Sequence, residues 1–480
     1  MGITNTQFQQ KVLELQQGED NSPRSWQNAT DPSKVQVATN IVQVSQDTRA
    51  SLIILYNLQF HSIKLRQSNI PNAHKNTFSW VFQQSLGEWL RSGEGIFWVS
   101  GKPGSGKSTL CKFLPEDPRT RLILQNWAGK KELFMSSYFF WKAGTNLQKS
   151  ISGLLRTILY DILRACPRLI PEIFPDRWQK TQIQGVDNDL WTQTELLDAL
   201  KRLLSTKLSA RFCIFIDGLD EYVGDHQEII RLLKEIIFYE KNTSSGIKIC
   251  LSSRPWNIFE DAFGQDPSGM LRMEDLTRGD ILLYVSENLK SNPRYSELEK
   301  EEEHHNLVQE VTDRANGVFL WVYMVVKELL AGLTNYDPLS ILMVRLQKLP
   351  TDLEQFFLHI LDSIEEVYHE SSAQILQLCI HAKEPLHILG FTLLEDSRTH
   401  LGENVQSGFW NCIDLEAWSI QKRFMKYKTV IKQLNARCGG LVEVEGRGEH
   451  LNDWLKVDFL HRTVQEFLDT QEIQVILRKR

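Results

Sequence analysis

The chain has 480 residues, 42% hydrophobic and 24% charged, with a formal net charge of −6. This composition suits a soluble globular protein of about three domains. The acidic balance excludes a polyanion partner held by bulk charge, because only the tail Arg478-Lys479-Arg480 is locally basic.

Residues 1 to about 45 are rich in Gln, Asn, Ser and Thr and form a weakly patterned leader with a helix near Phe8–Leu15. Gly2 and Thr6 fit the myristoylation pattern, but no basic cluster follows to supply the second signal of stable anchoring. Ala50–Gln67 carries a helical period through Leu52, Leu55, Leu58 and Ile63. Phe78–Phe82 and Leu86–Leu90 then lead into an apolar strand, Ile96-Phe97-Trp98-Val99.

Directly behind that strand stand Gly101, Lys102, Pro103, Gly104, Ser105, Gly106, Lys107 and Ser108, followed by Thr109. The spacing is that of a phosphate-binding loop, G-x-x-x-x-G-K-[ST]. Glycines let successive amides point inward at phosphate oxygens. Lys107 supplies a point charge, Ser108 a hydroxyl for Mg²⁺, and the following helix the positive end of its dipole. A Gly-rich turn that merely reverses the chain is the alternative.

Strands and helices alternate from there. Leu133–Trp141, Phe212–Ile216 and Ile247–Leu251 read as strands, and Ile151–Leu163, Glu195–Leu204 and Ile229–Phe238 as helices. This predicts a doubly wound, mostly parallel α/β sheet with ligands at the carboxyl ends of its strands. After Leu276 helical periods dominate: Asp280–Leu289, Leu307–Arg314, Val318–Leu330, Leu339–Leu346 and Leu353–Val367. The run Gly317–Val326 is too short for a membrane span and reads as a buried helix. The acidic Glu297–His305 reads as a solvated loop or helix face. The last section has the helix, β-hairpin, helix layout of a winged helix, with strands at Gly440–Val444 and Val457–Leu460 and a polar turn at Glu445–Glu449. The seven cysteines form no C-x-x-C pair, so neither a disulfide framework nor a zinc site is expected, and reduced thiols in the cytoplasm are.

Two strand ends add chemistry to the loop. Asp217 closes the strand Cys213–Ile216 and suits a Mg²⁺-side acid. Glu221, or Asp220, is the candidate general base, with helix capping as the alternative for both. Arg254, after Ile249–Ser253, is a candidate sensor of the terminal phosphate, although an Arg after a strand is often only a surface residue.

The strand with Asp217-Gly218-Leu219-Asp220-Glu221 resembles the second acidic motif of NACHT proteins. Gly95–Leu110, Thr77–Phe82, Ser253–Trp256, Leu276-Thr277 with Asp280-Ile281, and Gly317–Trp321 resemble fungal NACHT proteins related to the nephrocystin N-terminal family. These belong to the STAND class of signalling ATPases. The resemblance implies ADP-bound and ATP-bound states with Mg²⁺, self-association in the ATP state, an unidentified protein effector, and roles of the kind served in fungal non-self recognition or programmed cell death. It also implies adenine as the base.

Phe459–Leu468 is similar to the winged-helix motif of animal NACHT receptors, whose histidine contacts the ADP β-phosphate; His461 is the matching position. A histidine hydrogen-bonded within its own wing is the alternative. Gly317-Val318-Phe319 stands where many relatives have Gly-x-Pro, so that proline contact does not carry over. The implied organisation is a leader and helical segment at 1–70, a NACHT P-loop domain at 71–275, a helical domain at 276–365 and a helical, winged-helix-like domain at 366–480. The expected function is a nucleotide-gated switch with slow ATP hydrolysis. A rapidly cycling P-loop ATPase or kinase and a non-hydrolysing scaffold remain alternatives. No nucleic-acid partner and no stable membrane insertion are expected.

Overall fold

The four apolar runs around and after the loop become four parallel strands. In a computed structural model, which describes residues 46–480 except 61, 186–188, 207–208, 241–245, 299–303, 383–384, 389, 392–419 and 446–454, these are β1 (Gly95–Ser100), β2 (Glu132–Phe139), β3 (Ala210–Asp217) and β4 (Gly246–Ser253). A short fifth strand, β5 (Met270–Arg272), completes a sheet of order β2-β3-β4-β1-β5. The leader helix expected at Phe8–Leu15, the Gly2 and Thr6 pattern, Cys412, the centre of the acidic stretch and the polar turn after Glu445 lie outside the described residues.

The chain divides into two compact units. The first holds the described residues up to 72, with 79–100 and 108–271; the second holds 73–78, 101–107 and 272–480.

In the first unit, β4 lies between β1 and β3, with Ser253 beside Ser100 and Ile249 beside Ile214. On the other side of β3, Phe139 stands beside Asp217. These parallel strands therefore finish at one edge, and the residues that follow them leave from that edge. Both faces are apolar because both are covered; the helix Ile151–Ala165, N-capped by the Ser150 side chain, buries one whole stripe.

A lysine in the middle of a buried strand needs a reason. Lys248 is fully buried and donates to the carbonyls of Trp89 (2.7 Å) and Leu90 (2.8 Å) near the end of helix Ser85–Ser92, with the Trp127 ring 4.3 Å away. The cation thus closes a helix C-terminus from inside the sheet.

One expected helix is cut short. The period through Ala50–Gln67 continues, yet the helix 46–58 stops and a separate short helix forms at Leu65–Asn69. The Arg156 guanidinium takes the carbonyls of Asn57, Leu58 and Gln59, and the Trp191 indole N–H also donates to Asn57. Those tertiary donors satisfy the terminal carbonyls and make the break favourable.

The second unit is mainly helical. Its helices include Arg278–Lys290, His304–Arg314, Phe319–Thr334, Leu339–Lys348, Leu353–Ser363, His369–His381 and Ile420–Cys438, packed around the buried Trp321, Phe356 and Phe357. Beyond them, β6 (Leu386–His387), β7 (Val442–Glu445) and β8 (Lys456–Phe459) form a sheet of order β6-β8-β7, antiparallel throughout. Helices Arg462–Leu468 and Gln471–Lys479 follow. Two antiparallel strands with helices before and after them are present among the described residues, the turn between β7 and β8 lying outside those residues; β6 is an addition too short to signal itself. Among the described residues no helix is long and apolar enough to cross a membrane.

Candidate functional site

The candidate acids stand in the first unit. Asp217 ends β3 and is almost wholly buried. Its Oδ1 accepts from the Ser252 hydroxyl at 2.6 Å, and that hydroxyl in turn accepts from the Gly218 N–H at 3.0 Å. Asp217 Oδ2 is buried with no hydrogen-bond partner among the described residues. An unsatisfied carboxylate oxygen is costly to bury, so it marks either stored strain or a position suited to a cation. Among the described residues no group of three or more His, Cys, Asp or Glu could hold a metal. One braced carboxylate is what Mg²⁺ needs when phosphates and water supply its other ligands.

Gly218 turns the chain at φ 70° into a short 3₁₀ turn, Leu219–Glu221. Glu221 Oε2 accepts from the Lys142 N–H at 3.0 Å, just beyond β2. Asp220 faces Arg254 instead: its Oδ1 accepts the Arg254 backbone N–H at 3.1 Å and its Oδ2 lies 3.3 Å from Arg254 Nε. Both acids are buried. The two acids that looked interchangeable in sequence thus hold different partners, and Arg254 is paired with one of them. Next to Glu221, Tyr222 is pushed up to about 12 by burial and by the Glu228 carboxylate, so its hydroxyl stays protonated at neutral pH.

The loop residues 101–107 belong to the second unit. Gly104 and Gly106 take φ of 72° and 94°, which L side chains avoid. Gly104 is also hemmed in, because a Cβ there would come within 2.8 Å of Leu320 Cβ. Its carbonyl accepts from the Leu320 N–H at 3.0 Å, at the start of helix Phe319–Thr334. Lys107 Nζ folds back onto the carbonyls of Gly101 (2.6 Å) and Lys102 (2.9 Å). The Lys102 N–H is directed at Glu274 Oε2 at 3.4 Å, and its ammonium at the Asn316 carbonyl, also 3.4 Å. Ser105 is buried, and its hydroxyl has no partner among the described residues. Pro103 is a half-buried turn residue, and Ser108 and Thr109 lie in the first turn of helix Lys107–Glu116.

His461 caps helix Arg462–Leu468, and its Nδ1 accepts the Thr463 N–H at 3.1 Å. Nδ1 therefore carries no proton in this arrangement, and a neutral ring has its proton on Nε2. Sequence reasoning missed Ser252 and Glu274. Ser252 was visible only as one hydroxyl of a strand end, and Glu274 gave no local signal because its partner lies far away in the chain.

Residues 76–254 match the family described as nephrocystin 3, N-terminal, and residues 363–480 match a domain of unknown function (DUF7791). No curated protein matches the chain significantly. Among solved structures it is similar to the Aeropyrum pernix ORC2 protein in ADPNP–ADP complexes, at 12% identity over 88% of this chain and 98% of that one, with a TM-score of 0.35. It is also similar to Drosophila ORC bound to DNA (11% identity, 86% and 93% coverage, TM-score 0.34). A third is a Walker-type ATPase of Pyrococcus abyssi (11% identity, 84% and 99% coverage, TM-score 0.24). At TM-scores this low the likeness carries no functional weight. The first family match, the loop and the parallel sheet together place the chain among the P-loop NTPases, with a helical C-terminal region.

Proposed function

We propose that the chain is a nucleotide-gated switch of the NACHT type, binding ATP or ADP with Mg²⁺ and hydrolysing ATP slowly. The observation that carries the reading is Asp217, a buried carboxylate held at one oxygen by Ser252 and unpartnered at the other, in a chain with a complete phosphate loop. In this reading the loop amides and Lys107 hold the phosphates, Ser108 and Asp217 serve Mg²⁺, and Glu221 orients the attacking water. Arg254 and His461 report the nucleotide state, with adenine as the base. The ATP form self-associates and signals to a protein effector. The boundaries at 70, 275 and 365 are proposed with it.

The switch part draws on Gly104, whose carbonyl is bonded to the helix Phe319–Thr334, so that the loop's position bears on the helical region. The test is the nucleotide that co-purifies with wild type and with His461→Ala. ADP retained by the first and lost by the second supports the reading. A wild type that holds no nucleotide, or whose size distribution ignores ADP-to-ATP exchange, sinks it. A second reading, a non-hydrolysing scaffold, is favoured by one observation: both candidate bases are already engaged, Glu221 by Lys142 and Asp220 by Arg254. Absence of any Mg²⁺-dependent turnover would select it.

A further inference from the structure

Two sequence motifs had no role in the site: Thr77–Phe82, before β1, and Leu276-Thr277 with Asp280-Ile281. Within the second unit they meet. One face of helix Arg278–Lys290, at spacings of four and three residues, presents Asp280, Tyr284 and Glu287. All three grip the segment 74–78. Asp280 Oδ2 accepts the Phe78 N–H at 3.0 Å in a buried setting. The Tyr284 ring stands edge-on to His74, with centroids 5.1 Å apart. The Glu287 carboxylate lies 2.7 Å from His74 Nε2. The His74 carbonyl in turn accepts the Thr77 hydroxyl at 2.6 Å, closing a turn.

That grip delivers Phe78 in an unusual conformation, with φ of 60°. A bulky aromatic residue avoids this region unless its surroundings over-determine it, and such strain collects at working sites. Its ring reaches the phosphate loop: a Cβ on Gly106 would lie 3.8 Å from Phe78 Cζ and 3.9 Å from Met273 Cε. Gly106 directly precedes Lys107, so Phe78 and Met273 both lie against the loop next to its lysine.

We propose that Asp280 is a positioning residue for the phosphate loop, acting through Phe78. Its carboxylate holds the Phe78 amide, the strained backbone aims the ring, and the ring sets Gly106 and Lys107. The inference rests on the nucleotide-binding reading above. Pre-positioned amides bind an anion without first being ordered, so loss of the support weakens binding even where the fold survives.

The test measures binding of fluorescent MgADP to the full chain, with melting of the nucleotide-free protein followed in parallel. Asp280→Ala weakens MgADP about tenfold, the scale expected of a displaced binding group. Asp280→Asn keeps an acceptor oxygen and stays near wild type, which a mere need for charge would not allow. Phe78→Gly tolerates the backbone conformation, loses the ring, and weakens binding similarly. The double variant is no weaker than Phe78→Gly alone, because both substitutions cut one chain of support. Unchanged MgADP affinity in Asp280→Ala, or additive losses in the double variant, overturns the inference alone. A wild-type chain that binds no MgADP overturns the parent reading and takes this one with it.

Discussion

Substituting Asp217 by Asn tests whether its unpartnered oxygen is a metal position. The variant keeps an oxygen to accept from Ser252 and places a neutral amide where Oδ2 lies buried. In the nucleotide-free protein, a buried charge with one bare oxygen is exchanged for a neutral group with one bare N–H, which costs about 1–3 kcal/mol rather than more. Stability without ligand should therefore hold or rise by about 1 kcal/mol. With ligand the sign reverses. Wild type at a hundredfold excess of MgADP over Kd gains about 2.7 kcal/mol. For a domain of 150–250 residues that is roughly 5–10 °C in melting temperature. Asp217→Asn should retain the shift given by ADP with EDTA, which the proposed reading assigns to the loop amides and Lys107, and lose the increment that Mg²⁺ adds. Differential scanning fluorimetry of both proteins without nucleotide, with ADP and EDTA, and with MgADP reads all six states. An undiminished Mg²⁺ increment in the variant would refute the metal role, and an apo protein several degrees less stable would refute the idea that the bare oxygen stores strain.

Glu221→Gln keeps an acceptor for the Lys142 amide, so the fold should persist while ATP turnover falls about 10²–10⁴-fold; unchanged phosphate release would remove Glu221 as the base. Arg254→Met removes the guanidinium from the Asp220 carboxylate, only 2% exposed, and should cost about 3 kcal/mol in urea unfolding, most of it regained in Arg254→Met with Asp220→Asn. Lys248→Met leaves the carbonyls of Trp89 and Leu90 without their cation and should destabilise by about 1–3 kcal/mol at neutral pH. Burial holds Lys248 down to about 8 from its usual 10.5, so the unfolded chain binds the extra proton between those values. This lysine's penalty is thus full below about pH 8 and lifts as pH rises toward 10.5; wild type should gain on Lys248→Met across that window, and denaturation curves that stay parallel at pH 7.5 and 10 would contradict the assignment.

The parts of this molecule legible in sequence were those whose physics is local. Gly101–Ser108 follows an apolar strand at a fixed spacing, and Asp217 ends another, so both element and edge could be read from neighbours. Strand order could not. β4 lies between β1 and β3, and that insertion is what puts Ser252 beside Asp217. The division of labour between Asp220 and Glu221 was equally hidden, since it depends on Arg254 and on the Lys142 amide, each on a different strand end. The helix after Ala50 failed for the same reason: its apolar period runs on, but Arg156, about a hundred residues later, supplies the cap that stops it.

Helix Phe319–Thr334 brings these long-range terms together. In sequence it was an apolar run that read as a buried helix, with Gly317–Trp321 at its start also part of the family resemblance. In the structure its first turn donates the Leu320 amide to Gly104 of the phosphate loop. One turn further, the Tyr323 hydroxyl donates to Glu443 on β7 at 2.9 Å, and burial with that carboxylate pushes the phenol far up, so it remains a donor. The same helix therefore touches the loop and the region matching a domain of unknown function, with Phe319 also packed on Tyr284 of the helix that carries Asp280. A ligand shifts a conformational balance only through contacts that differ between states. The Gly104 carbonyl and the Phe78 ring are the candidates for such contacts in the proposed switch, and both lead to helices of the second unit. In the proposed switch, a change at Gly104–Lys107 passes first to those helices, and interiors packed this closely yield in discrete steps more readily than by gradual bending.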